Sequence, residues 1–202
     1  DNLMKVLLTG SSGQLGLSII DTKPKNIDLV ITNKQQLDLS KTDSCEKFIL
    51  SEKPNWVINC AAFTEVDKAE KDIDLSNLIN GYAPGVFTNS INKINGNLLQ
   101  ISTDFVFNGE QNFPYKINQE TSPINQYGYS KALGEKLVKR NSKKLNNAKI
   151  LRTSWVISPY GKNFVLTMLK LHQEREIIKV VTDQIGAPTS AKHLAMVCWK
   201  II

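Results

Sequence analysis

The most constraining feature of this chain is a turn. The apolar run Lys5-Val-Leu-Leu-Thr9 passes straight into Thr9-Gly10-Ser11-Ser12-Gly13-Gln14-Leu15-Gly16, a G-x-x-G-x-x-G spacing at the junction of a strand and a helix. Gly10 suits a tight turn, Gly13 lets backbone approach a ligand without a Cβ in the way, and Gly16 allows helix and strand to pack closely. The helix N-terminus then offers free N–H donors and about half a positive charge, so the turn reads as a cradle for a diphosphate, with Gly10, Gly13, Gln14, Leu15 and Gly16 as the cofactor-binding residues. No Gly-Lys-Ser/Thr follows, which separates it from a P-loop.

The rest of the chain repeats the pattern that this turn begins. Asp28-Leu-Val-Ile-Thr32, Trp56-Val-Ile-Asn-Cys60, Asn97-Leu-Leu-Gln-Ile-Ser-Thr103 and Lys149-Ile-Leu-Arg-Thr-Ser-Trp155 are short apolar runs, each separated by enough chain for a crossover helix. Helix signals lie at 15–20, 43–52, 75–94 and 127–140. Strands apolar on both faces with helices between them predict a doubly wound, Rossmann-like α/β fold with a parallel sheet. Residues 108–125, with Gly109, Pro114 and Pro123, form a long aperiodic loop of the kind that carries function. Beyond Trp155 the order blurs: 163–171 reads as a helix, 177–182 as a strand and 190–202 as a helix. The expected division is an NAD(P)-binding domain over 1–155 and, over 156–202, the start of a small, C-terminally incomplete substrate domain.

Composition removes several classes. With 202 residues, 41% hydrophobic and 22% charged, the chain is ordinary globular material. It has no apolar run long enough for a membrane span, and the opening Asp1-Asn2-Leu3-Met4-Lys5 leaves no room for a signal-peptide core before the first strand, so a cytoplasmic protein without membrane partners is expected. Cys45, Cys60 and Cys198 are odd in number and far apart, reading as reduced thiols, and with only His172 and His193 no metal centre is expected. Residues 1–101 carry ten basic and twelve acidic side chains, and residues 102–202 fifteen and seven. Much of that basic excess (Lys136, Lys139, Arg140, Lys143, Lys144, Lys149) reads as a solvated helix face. No aromatic residues interleave with it as on a nucleic-acid surface, so no nucleic-acid partner is expected.

The chemistry is carried by Ser102-Thr103-Asp104 at the end of the fourth strand and Tyr127-Gly-Tyr-Ser-Lys131 at the head of a helix. Residues four apart share a helix face, so Tyr127 and Lys131 are expected to point together into the cleft at the C-terminal ends of the strands. An ammonium ~4 Å from a phenol is worth roughly 4 kcal/mol at an effective dielectric of 20, enough to draw Tyr127 down towards physiological pH. Such a phenol protonates a carbonyl oxygen as hydride arrives, with the Thr103 hydroxyl on the same oxygen and Lys131 also on the nicotinamide ribose. At the end of the second strand, Thr32-Asn33-Lys34 has no carboxylate to repel a 2′-phosphate, so NADPH is expected to be accepted alongside or ahead of NADH.

These motifs resemble the extended short-chain dehydrogenase/reductases, and among them the dTDP-4-dehydrorhamnose reductase family. The runs that carry the resemblance are Lys5 to Gly16, Asn59-Cys-Ala-Ala-Phe-Thr-Glu-Val-Asp-Lys-Ala-Glu70, Ser102 to Gly109, Tyr127 to Glu135, Arg152-Thr-Ser-Trp-Val156, Asn163 to Leu169 and Val181-Thr-Asp-Gln-Ile-Gly-Ala-Pro-Thr189. The resemblance implies a catalytic set of Thr103, Tyr127 and Lys131 that reduces the C4 ketone of dTDP-6-deoxy-L-lyxo-4-hexulose with NADPH or NADH. It implies Asp38 and Leu39 at the adenine, and Cys60, Ala61 and Ala62 along the cofactor's ribose and phosphates. Thr64, Val66, Thr103 and Asp104 border the sugar, Trp155 covers it, and Asn80 positions the lysine. The implied partner is a small-molecule nucleotide sugar, and a homodimer is an assembly the resemblance allows. Two sister readings share the fold: a nucleotide-sugar epimerase or dehydratase, and a non-catalytic regulatory subunit like the methionine adenosyltransferase beta subunit. Members are longer than this chain, and where some carry a Glu two positions past the third glycine this sequence has Ser18, so no metal is assigned.

Overall fold

Five apolar segments pair side by side so that each satisfies a neighbour's backbone; the three central ones are largely buried on both faces, the two at the edges only in part. The computed structural model describes residues 3–143 and 147–202. Its main sheet comprises β1 (Met4–Thr9), β2 (Ile27–Ile31), β3 (Trp56–Asn59), β4 (Asn97–Thr103) and β5 (Ala148–Thr153), all parallel in the order β2-β1-β3-β4-β5. The order reverses between β1 and β3. That reversal opens a crevice at the carboxyl ends of the strands, where ligands of open α/β sheets bind.

Helices cover both faces. On one, α1 (Gln14–Asp21) and α8 (Ala191–Ile201) enclose Val6, Leu8, Ile19, Ile58, Leu99, Leu194 and Cys198. The Trp199 indole N–H donates to the Ile19 carbonyl at 3.2 Å, pinning α8 onto α1. On the other face, α2 (Thr42–Glu52), α5 (Ala83–Lys93) and α6 (Gln126–Asn141) bury Leu7, Cys45, Ile49, Val57, Phe87, Ile91, Leu98 and Val138. Two short helices, α3 (Val66–Ala69) and α4 (Ile73–Asn77), precede α5, and α7 (Phe164–Glu174) lies late in the chain. The five strands expected up to Trp155 sit within a residue or two of their predicted bounds.

Two expectations are corrected. The single helix predicted over 75–94 is α4 and α5 joined by a π-helical turn, Leu78–Tyr82. The strand predicted over 177–182 is irregular and largely exposed, with Ile177 77% and Val181 60% accessible. A β-branched run becomes a strand only where a neighbour satisfies its backbone and covers a face, and none does here. The small sheet at this end is instead β6 (Val156–Ile157) paired with β7 (Thr189–Ser190). The C-terminal helix packs on the main sheet: Leu194, Ala195 and Cys198 belong to the same core as β1 and α1. Lys136, Lys139 and Arg140 of α6 and Lys143 after it do face solvent, with Lys139 3.6 Å from Glu135, whereas Lys149 is half-buried in β5; Lys144 lies outside the described residues.

Candidate active site

Gly10 has φ +66°, a conformation natural to glycine alone, and a Cβ there would stand 2.5 Å from the Ala61 amide nitrogen. The turn is thus pressed against the segment leaving β3, and Ala61 N–H donates to Thr9 Oγ1 at 3.2 Å. Gly13 N–H closes a tight turn onto the Gly10 carbonyl at 3.1 Å. At Gly16 a Cβ would collide with that same Gly10 carbonyl, so the third glycine packs the helix against the turn itself. Gly13 is the N-cap of α1 and supplies no side chain to cap it. The first-turn N–H groups therefore remain as donors, which fits a diphosphate. The Gln14 side chain is engaged elsewhere, accepting from Ser158 Oγ (2.8 Å) and Asn163 Nδ2 (2.9 Å), and what it offers a cofactor is its backbone.

A buried polar chain crosses the sheet from this turn. Thr9 Oγ1 donates to Asn59 Oδ1 at 2.6 Å, Asn59 Nδ2 to Gln100 Oε1 at 2.7 Å, and Gln100 Nε2 to the Ile101 carbonyl at 2.9 Å. That carbonyl also accepts from Lys131 Nζ at 2.7 Å. The β3–β4 ladder ends at Asn59–Gln100, one residue before Ile101. Burial drives the Lys131 ammonium down from 10.5 to about 8, opposed by Glu135. Asn59 and Gln100 escaped the sequence reading. Their signal was a polar residue inside an otherwise apolar, doubly covered strand, which demands a partner.

Lys131 and Tyr127 head α6, whose N-cap, Asn125, accepts from the Gly128 amide at 2.8 Å. Tyr127 packs edge-on against Phe105 at 5.4 Å. Burial raises its phenol above the ordinary value of 10; the Thr103 hydroxyl pulls it down and the Asp104 charge pushes it up. The expectation that Lys131 lowers Tyr127 towards neutrality is corrected on this point: the ammonium is turned to the Ile101 carbonyl, and burial governs the phenol. Thr103 Oγ1 donates to Asp104 Oδ1 at 3.1 Å and accepts from Phe105 N–H at 3.2 Å. Burial raises Asp104.

Cys60 is half-buried, desolvation pushes its thiol well up, and its electrostatic neighbours are Cys198 and Lys131. Gly10, Cys60, Ala61, Thr103, Asp104, Tyr127 and Lys131 are thereby gathered at the ends of β1, β3 and β4. Other predicted residues lie around this group. Leu39 is in the core with Leu37, Cys45 and Ile49, so at that position Asp38, whose carboxylate accepts from Ser40 Oγ at 2.7 Å, is the more accessible side chain. Ala62 and the exposed Thr64 follow β3, and Val66 opens α3. Trp155 adopts a left-handed backbone (φ +45°) and sets its indole 5.4 Å from Phe164 and against Gly186, neither of them among the predicted residues.

Asn80 lies in the π-helical turn, 2% exposed. Its amide bonds the Phe63 N–H (2.8 Å), the Phe63 carbonyl (2.9 Å) and Ser130 Oγ (2.9 Å). It holds the lysine only at one remove, fixing the loop after β3 against the residue preceding Lys131. A π turn at such a place is a common accompaniment of function.

Comparison with known proteins decides the relationship. The family described as RmlD substrate binding domain matches residues 4–202. The chain belongs to the RmlD family. A Burkholderia thailandensis relative named dTDP-4-dehydrorhamnose reductase is 38% identical over 95% of this chain, which spans 63% of that relative's length. Among solved structures, a dTDP-4-dehydrorhamnose reductase from Clostridium acetobutylicum superposes with a TM-score of 0.93 at 41% identity, covering 98% of this chain and 70% of that one. The Bacillus anthracis structure, described as dTDP-4-dehydrorhamnose reductase in complex with NADP, gives 0.93 at 38% identity over the same shares. Among the described residues of this RmlD chain, no helix is long and apolar enough to cross a membrane, and no group of acidic, His or Cys side chains gathers as metal ligands.

Proposed function

We propose that this chain carries the cofactor site and proton-donating residues of an NADPH-dependent dTDP-4-dehydrorhamnose reductase, reducing the C4 ketone of dTDP-6-deoxy-L-lyxo-4-hexulose to dTDP-L-rhamnose in the cytoplasm. The observation that carries this reading is the buried Lys131 ammonium one helical turn from Tyr127, joined through Gln100, Asn59 and Thr9 to the turn whose helix N-terminus behind Gly10 is uncapped. The glycine turn, Ala61 and Ala62 suit the diphosphate and ribose, and Asn33 and Lys34, exposed past the end of β2, leave room for a 2′-phosphate. When bound, the nicotinamide supplies hydride. Tyr127 Oη keeps its proton through the neutral range, because burial holds its pKa above 10, and delivers it to the ketone oxygen. Thr103 Oγ1 hydrogen-bonds that oxygen, and Lys131 lends positive charge beside it. Residues 156–190, with Trp155, form the beginning of the sugar-binding side.

The test is NADPH oxidation by the whole protein, with the hexulose generated in situ from its dTDP-sugar precursor. Stoichiometric formation of dTDP-L-rhamnose is expected. Absence of turnover with the substrate demonstrably present rejects the proposal.

A further inference from the structure

Two adjacent residues of β4 are gripped from the same helix. The Ile101 carbonyl accepts from Lys131 Nζ at 2.7 Å, and the Ser102 hydroxyl donates to Glu135 Oε1 at 2.7 Å. Lys131 and Glu135 are one helical turn apart on α6, so both heads arrive at one short stretch of strand. Both are buried, 5% and 2% exposed. A lone carboxylate in such a place would be prohibitively costly. Arg152 of β5 meets it as a fork, Nε to Oε1 at 2.8 Å and Nη2 to Oε2 at 2.6 Å. The same guanidinium lies over the Phe107 ring at 4.9 Å and donates to the Ile117 carbonyl at 3.3 Å, reaching the long loop as well.

We infer that Glu135, braced by Ser102 and Arg152, is a positioning residue that keeps Lys131 charged in the working pH range. The titratable groups acting on Lys131 are Glu135 and the Cys60 thiol after β3, and the Arg152 guanidinium of β5, bound to Glu135, brings the opposite charge into the same cluster. Burial holds the Cys60 thiol, and the Tyr127 phenol one turn away on α6, in their neutral forms, so Glu135 is the anion of the set. It remains ionised because Arg152, Ser102 and, on the outer side, Lys139 all favour its charge. Burial alone pulls the Lys131 ammonium down and Glu135 pulls it back up, leaving it near 8. Without that carboxylate the lysine would be partly neutral at physiological pH, and the field beside the ketone would fade with it.

This inference rests on the proposed function for its catalytic meaning, but the charge of Lys131 is measurable without turnover. In the whole protein, NMR of the Lys131 side-chain carbon and nitrogen against pH gives its midpoint. Glu135→Gln should lower that midpoint by about one pH unit. The double variant Glu135→Gln/Arg152→Gln removes both members of the pair and strands no buried cation, so it stays testable should the single variant fail to fold. Its midpoint should also lie below the wild type's, and the alkaline limb of kcat/KM should move down with it. A wild-type midpoint in the double variant, or lost activity with an unmoved limb, would reduce Glu135 to structural bracing and overturn the inference. Absence of turnover in the wild type would remove the proposed reaction and leave the NMR titration to decide this point alone.

Discussion

Lys131 Nζ and Gln100 Nε2 donate to one acceptor, the carbonyl of Ile101, at 2.7 and 2.9 Å. A sheet carbonyl just past the end of a ladder is left over by the strand pairing, and here it anchors the side chain that the proposed chemistry needs charged. Through Gln100 and Asn59 the same carbonyl is linked to Thr9, so the glycine turn and the lysine are parts of one hydrogen-bonded frame.

Lys131 is costly to the fold. Its pKa falls from 10.5 to about 8, so the cost of holding it charged is fully present below pH 8 and is relieved as pH rises towards 10.5. Lys131→Met should therefore abolish reduction yet stabilise the protein at neutral pH by about 2 to 3 kcal/mol, the Ile101 carbonyl still being satisfied by Gln100. Urea unfolding as a function of pH checks this: the wild type should gain stability between pH 8 and 10 and the variant should not.

The wild-type rate should decline first as Lys131 loses its proton, near pH 8, and again only where the Tyr127 phenol ionises, above 10. A kcat/KM profile with a single alkaline midpoint above 10 would contradict this ordering.

Tyr127→Phe keeps the ring against Phe105 and removes the proton donor. Turnover should fall by about 10² to 10⁴ with NADPH affinity, measured by fluorescence titration, nearly unchanged. Full activity in the variant would mean that the donor lies elsewhere.

Gly10→Ala imposes a left-handed backbone on alanine and drives its methyl into the Cys60–Ala61 peptide. The loss should exceed about 1 kcal/mol in chemical denaturation, and NADPH binding should weaken in parallel.

Asn80→Ala strands the N–H and C=O of Phe63 inside the protein, which should cost about 2 to 4 kcal/mol. A thermal melt unchanged from the wild type would show that the loop after β3 finds other partners.

Much of this was legible in the residues because local and global signals agreed. β4 lies where its apolar run ends, and α6 begins at the Asn125 cap just before Tyr127. What misled was context. Ile177–Thr182 has strand composition and no strand beside it, and the Leu75–Ile94 pattern hid a π turn because residue type does not separate a single π turn from the α-helix around it. The direction of the Tyr127 shift depended on where the Lys131 head points, which helix spacing alone does not give. Glu135 and Arg152 were visible as letters in two separate runs, but their pairing is a fact of tertiary structure.

The π turn over Leu78–Tyr82 has a geometric corollary. One extra residue per turn offsets the following helix by about 100° from where a regular α-helix would have put it. That twist lets a single stretch of chain hand its amide at Asn80 to α6 and, two to three turns later, lay Phe87 and Ile91 on the sheet. Excising one residue there would restore ordinary helical phase and leave the two surfaces unable to dock together.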